Sequence, residues 1–103
     1  MNLINANLQK IIELCKKYRV KSLSVFGSIL TDRFNDDSDV DFLVDFLPYN
    51  PDDPDFDCLT NYLDLADSLE DVLKRKIDLV VEKGMRNKYF IANVNRTKQL
   101  IYG

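Results

Sequence analysis

At 103 residues, 46% hydrophobic and 30% charged, the chain suits one compact domain over residues 1–103, with a real core and no room for a second. Fourteen basic against seventeen acidic side chains give a net charge of −3, which argues against generic nucleic-acid binding. Histidine is absent and there are only three glycines, excluding Ser-His-Asp hydrolases, His-ligated zinc, dinucleotide-binding glycine fingerprints and Walker-type phosphate loops.

In chain order, residues 3–18 place Ile4, Leu8, Ile11, Ile12, Cys15 and Tyr18 at helical spacing and predict an amphipathic helix. Residues 20–26, VKSLSVF, read as a strand that Gly27 ends, with a helical turn opening at Ser28. Polar residues 33–38 read as a loop. The clearest strand is 40–46: Val40, Phe42, Val44 and Phe46 share one face, and Asp39, Asp41, Leu43 and Asp45 the other. Residues 47–57 hold all three prolines and four aspartates, hence an exposed loop, with Asp53-Pro54 as the expected helix start. The helix that follows runs to about residue 74 and is expected to bury Leu59, Tyr62, Leu63, Ala66, Leu69 and Leu73. Lys74, Arg75 and Lys76 suit its negative end. Residues 77–81, IDLVV, form a third strand broken near Gly84, and a last helix runs to about Leu100. Five basic and no acidic residues follow from Lys83 onward, so an acidic centre precedes a basic tail. The order α-β-turn-β-α-β-α predicts an α+β domain, a small mixed sheet with helices covering one face. Cys15 and Cys58 fall in apolar helical patterns and read as reduced core thiols. No apolar run reaches the roughly 20 residues of a membrane span and no signal-peptide pattern opens the chain, so a cytoplasmic location is expected.

The chemistry concentrates in residues 26–46, FGSILTDRFNDDSDVDFLVDF. Asp39 and Asp41, two apart on a strand, point the same way. Two neighbouring carboxylates repel each other until a cation joins them, and Mg²⁺ is typically held by one or two carboxylates plus substrate phosphates. Asp78 sits opposite Ile77, Leu79 and Val81 on the third strand, and becomes a third carboxylate if that strand neighbours the second. Two metals on three carboxylates suit an in-line phosphoryl or nucleotidyl transfer. Gly27 permits a sharp turn close to a phosphate, and Ser28 adds a hydroxyl donor. An EF-hand over Asp37, Asp39 and Asp41 fails, since Phe42 and Pro48 occupy the positions needing Gly and Glu. Asp36 and Asp37 read as loop caps, and Asp45 lies too far down the strand to be a ligand.

Gly27-Ser28, a spacer, Ser38-Asp39-x-Asp41 and a later Asp78 in KIDLV resemble the hallmark of minimal nucleotidyltransferases of the DNA polymerase β superfamily, over essentially the whole chain. The resemblance implies a nucleotidyltransferase fold with Asp39, Asp41 and Asp78 as catalytic and metal-binding residues. Gly27, Ser28 and Ser38 would be the nucleotide-phosphate site. It further implies Mg²⁺-dependent transfer of a nucleoside monophosphate from ATP or another NTP. Small members of the family act as antitoxins of HEPN-domain toxins, some by adenylylating the toxin, so a HEPN-type protein partner is the implied acceptor. A homo- or hetero-oligomer could complete the site. A non-catalytic binding antitoxin is the alternative. Relatives carry arginines just after Gly-Ser where this chain has Ile29, Leu30, Thr31 and Asp32. Positive charge for a triphosphate must then come from Arg33, the 74–76 cluster, the tail or the metals.

Overall fold

A computed structural model describes residues 2–103. The chain opens with two helices, α1 (Asn2–Ala6) and α2 (Leu8–Lys17), where the spacing predicts one. Asn7 parts them: its side-chain amide donates to Leu3 O at 2.9 Å and its backbone N–H to Ile4 O at 3.1 Å. Such local bonding competes with helix continuation. Then come β1 (Val20–Phe26), a 3₁₀ turn (Gly27–Leu30) and β2 (Val40–Phe46), all at the predicted places.

The next helix, α3 (Cys58–Leu73), starts four residues later than Asp53-Pro54 suggests. Asp57 is the cap, accepting from Leu59 N–H at 3.1 Å and Thr60 Oγ1–H at 2.7 Å, while Asp53 closes a tight turn on Asp55 N–H. The buried stripe of α3 is also rotated. Leu65, Leu69 and Leu73 are buried, whereas Leu59 and Leu63 are 62% and 49% exposed. Cys58, at the first helical position, is exposed, so only Cys15 is the core thiol expected, and burial pushes its pKa up to about 12.

Strand β3 (Ile77–Val81) is followed by α4 (Lys88–Thr97), capped by Asn87. The last predicted helix ends early: Lys98 leaves helical geometry, and Gln99–Tyr102 form β4. Strand β4 pairs antiparallel with β1, Val25 opposite Gln99 and Leu23 opposite Tyr102. Without it β1, an apolar strand, would present an open edge of unpaired backbone groups.

The four strands run β3-β2-β1-β4, with β2/β3 parallel and the other pairs antiparallel, so the sheet is mixed. Helices α2 and α3 cover one face through Ile11, Cys15, Leu65 and Leu69, packed with Leu23, Val25, Phe42 and Val44. A smaller cluster on the opposite face joins Phe26 and Leu43 to Val94 of α4, an addition to the expected one-sided cover. No helix among the described residues is long and apolar enough to cross a membrane.

Candidate active site

Register decides which acidic residues meet. In the antiparallel β1/β2 pair Phe26 lies opposite Asp41, and in the parallel β2/β3 pair Asp41 lies opposite Asp78. The end of β1 and the starts of β2 and β3 therefore gather at one end of the sheet. Gly27 follows Phe26 there and turns with φ +78°, a conformation that L side chains rarely adopt. A Cβ on Gly27 would sit 3.4 Å from Asp41 Cγ and closer still to its Oδ2. The glycine thus lets main chain and carboxylate share one small space.

The electrostatics fit a cation. Asp41, half-buried on the central strand, has its pKa raised first by burial and then by the charges of Asp78 and Asp39. Asp39 and Asp78 are exposed. Among the described residues no three acidic, Cys or His side chains already converge as a ligand set. The donors are hard oxygens, the type Mg²⁺ prefers, and a cation would offset the charges of Asp78 and Asp39 that, after burial, hold the Asp41 pKa up.

The turn and loop that frame the carboxylates are tied internally. Thr31 Oγ1–H donates to Ser28 O at 2.8 Å and accepts from Arg33 N–H at 3.2 Å, closing the turn after Gly27-Ser28. Ser38 Oγ accepts from Asn35 N–H at 3.1 Å, so this predicted phosphate-site residue also closes the loop that delivers Asp39.

Arg75, expected at the negative end of the helix or as charge for a triphosphate, takes a role that the sequence does not show. Its guanidinium donates to Asn35 O at 3.4 Å and Ser38 O at 3.3 Å, covers the Phe34 ring at 4.6 Å and reaches Asp36 at 4.0 Å. It braces the strand entrance from the far end of α3 instead of serving the helix terminus. Only its position two residues beyond the end of α3, with Phe34 and Asp36 in the loop before β2, could have signalled this. Lys83 and Lys98 are also engaged, near Asp45 at 3.6 Å and Glu82 at 3.8 Å. Of the cations considered for a triphosphate, Arg33 lies nearest in sequence to the turn and is exposed.

A cleft of about 550 Å³ opens beside Gly27, between the 3₁₀ turn and α4, lined by Phe26, Leu30, Phe90, Asn93 and Val94 among others. Phe90 meets Phe26 edge-on at 5.8 Å. The volume lies within the range of small-molecule sites.

A family model described as Polymerase beta, Nucleotidyltransferase matches residues 9–103. A Methanocaldococcus jannaschii chain, provisionally named protein adenylyltransferase MJ1379, is 34% identical over 86 residues, covering 84% of this chain and 79% of the relative. A solved structure described as a provisional minimal nucleotidyltransferase superposes with a TM-score of 0.74 at 26% identity, over 93% of this chain and 90% of that one. A chain in the solved complex of a tri-AMPylated Shewanella oneidensis HEPN toxin with an MNT antitoxin has the same fold. Its TM-score is 0.64 at 20% identity, over 96% of this chain and 71% of that one.

Proposed function

We propose a specific reaction for this chain, which belongs to the polymerase beta nucleotidyltransferase family: it transfers AMP from ATP to a hydroxyl of a partner protein, as the antitoxin of a HEPN-type toxin. The observation that carries the reading is the parallel register that sets Asp41 beside Asp78, with Gly27 main chain against the Asp41 carboxylate.

In this reading Asp39, Asp41 and Asp78 would hold Mg²⁺. When bound, the metal supplies charge neutralisation of the triphosphate and of the developing transition state. Asp39 and Asp41 fix the nucleotide's position on the central strand. Gly27 and Ser28 let the main chain approach its phosphates, and the cleft at Phe90 gives room for the nucleoside. The acceptor oxygen bonds to the α-phosphorus as the bond to the β-phosphate breaks, and pyrophosphate leaves. Asp78, exposed on the edge strand, receives the hydroxyl proton. The name of the Methanocaldococcus relative and the AMPylated toxin in the structural neighbour favour a protein acceptor.

The test is transfer of label from α-labelled ATP, with Mg²⁺, onto a protein in lysate from the source organism, beside an Asp39→Asn, Asp41→Asn double variant. Label on a protein band with the wild type alone is the expected result. Equal labelling by the double variant overturns the site assignment. Capture of a partner without labelling would instead favour antitoxin action by binding alone.

A further inference from the structure

A second concavity lies at the other end of β2 and β3, away from the carboxylates. It is a groove of about 560 Å³ between the strand ends, the start of the 47–57 loop and the first turn of α3. Its walls are mostly apolar, with Phe46, Leu47, Pro48, Tyr49, Leu59 and Val81 contributing. Leu47, Tyr49 and Leu59 are 45%, 43% and 62% exposed, and Leu63, one turn beyond Leu59 on the same helix face, is 49% exposed. Exposed apolar side chains gathered in one place mark interaction surfaces more often than scattered ones do.

We propose that this groove docks an apolar, cationic segment of a partner polypeptide. The inference rests on the proposed protein acceptor and names the surface that holds it. Charge selects the occupant. The loop that borders the groove carries Asp52, Asp53, Asp55 and Asp57 and no basic residue. Asp45 and Lys83 line the groove as an ion pair at 3.6 Å, so they offset each other there and leave the loop aspartates as its net charge. Arg19, the other nearby cation, lies over the Phe56 ring at 4.6 Å, one positive charge against the loop's four aspartates. A second copy of this chain fits poorly, because a two-fold contact would set the acidic rim against itself. Asp45 lies four residues along β2 from Asp41, about 13 Å at strand rise, so a segment seated here leaves the carboxylate end open to the acceptor.

The test measures binding of two fluorescent amphipathic peptides to the whole chain, one of leucine and lysine, the other of leucine and glutamate. The Leu/Lys peptide should bind at least tenfold tighter. The charge-neutral double change Leu59→Ser, Leu63→Ser should weaken it by tenfold or more, with the melting temperature confirming that both exposed substitutions leave the fold intact. Equal binding of the two peptides overturns the proposal, as does unchanged binding by the serine variant. Self-association that the same substitutions abolish assigns the groove to a second copy and overturns it too. Manganese-dependent ATP binding, followed in parallel, separates the two readings. Its absence in the wild type counts against the nucleotide site alone, and Asp39→Asn with Asp41→Asn should remove it without touching peptide binding.

Discussion

Replacing Gly27 with alanine tests the close approach on which the site depends. The backbone there sits at φ +78°, and an L residue held in that region costs about 1–2 kcal/mol. For a domain of this size each kcal/mol lowers the melting temperature by roughly 4–8 °C, so a loss of about 4–16 °C is expected. The added Cβ would also overlap Asp41 Oδ2 and stand 3.4 Å from Cγ. The carboxylate must swing aside, and a shift of about 1 Å in a positioning group lowers a rate on the order of 100-fold. Gly84→Ala is the control, because Gly84 has nothing within 4 Å and no left-handed backbone; it should leave transfer unchanged and add about 0.4–1 kcal/mol of stability. The assays are thermal denaturation and label transfer from α-labelled ATP. A Gly27→Ala protein that melts and transfers like the wild type would refute the reasoning.

Asp41 makes stability depend on pH. Its pKa is raised above 3.8 by burial, Asp78 and Asp39, so the folded state binds the proton more tightly than the unfolded one. Stability of the metal-free protein should then fall as pH rises from 3.8 through the raised value. Asp41→Asn removes that slope, so the variant should melt above the metal-free wild type at neutral pH. Mg²⁺ should raise the wild-type melting temperature and leave the variant's unchanged. Arg75→Ala withdraws two hydrogen bonds, both from Nη1, from the loop before Asp39, at a cost of about 1–2 kcal/mol. It should raise the Mg²⁺ concentration needed for half-maximal transfer severalfold. Arg75→Lys should not restore it, because a compact ammonium cannot bond both carbonyls while lying flat over Phe34 as the planar guanidinium does. Leu65→Ala should cost about 2–5 kcal/mol by urea unfolding, while Leu59→Ala stays within about 0.5 kcal/mol. Equal costs would return α3 to the face its sequence suggests.

Strands β1, β2 and β3 were legible to the residue because each alternates or clusters β-branched and aromatic side chains over a short run. The alternation in 40–46 also put Asp39 and Asp41 on the face away from the main core. Strand β4 was not legible. Gln99–Tyr102 follows a helical pattern without a break, and only the open edge of β1 recruits it. The face of α3 was misread because Leu59 and Leu63 share a helical stripe with Leu69 and Leu73 that local spacing cannot tell from the stripe through Leu65. The helix start was misread because Asp53-Pro54 and Asp57 are both competent caps, and the choice between them rests on how the loop closes.

Sequence by itself determined the chemistry available here: hard carboxylates without histidine, a glycine at a turn, and two aspartates sharing one strand face. That much follows from side-chain identity and the two-residue period of a strand. Tertiary structure decided which groups meet. The parallel register sets Asp78 against Asp41, the turn presses Gly27 on the same carboxylate, and Arg75 comes back from the end of α3 to brace the loop before Asp39. Those contacts join residues 14 to 40 positions apart, a separation that strand pairing spans and local pattern does not encode.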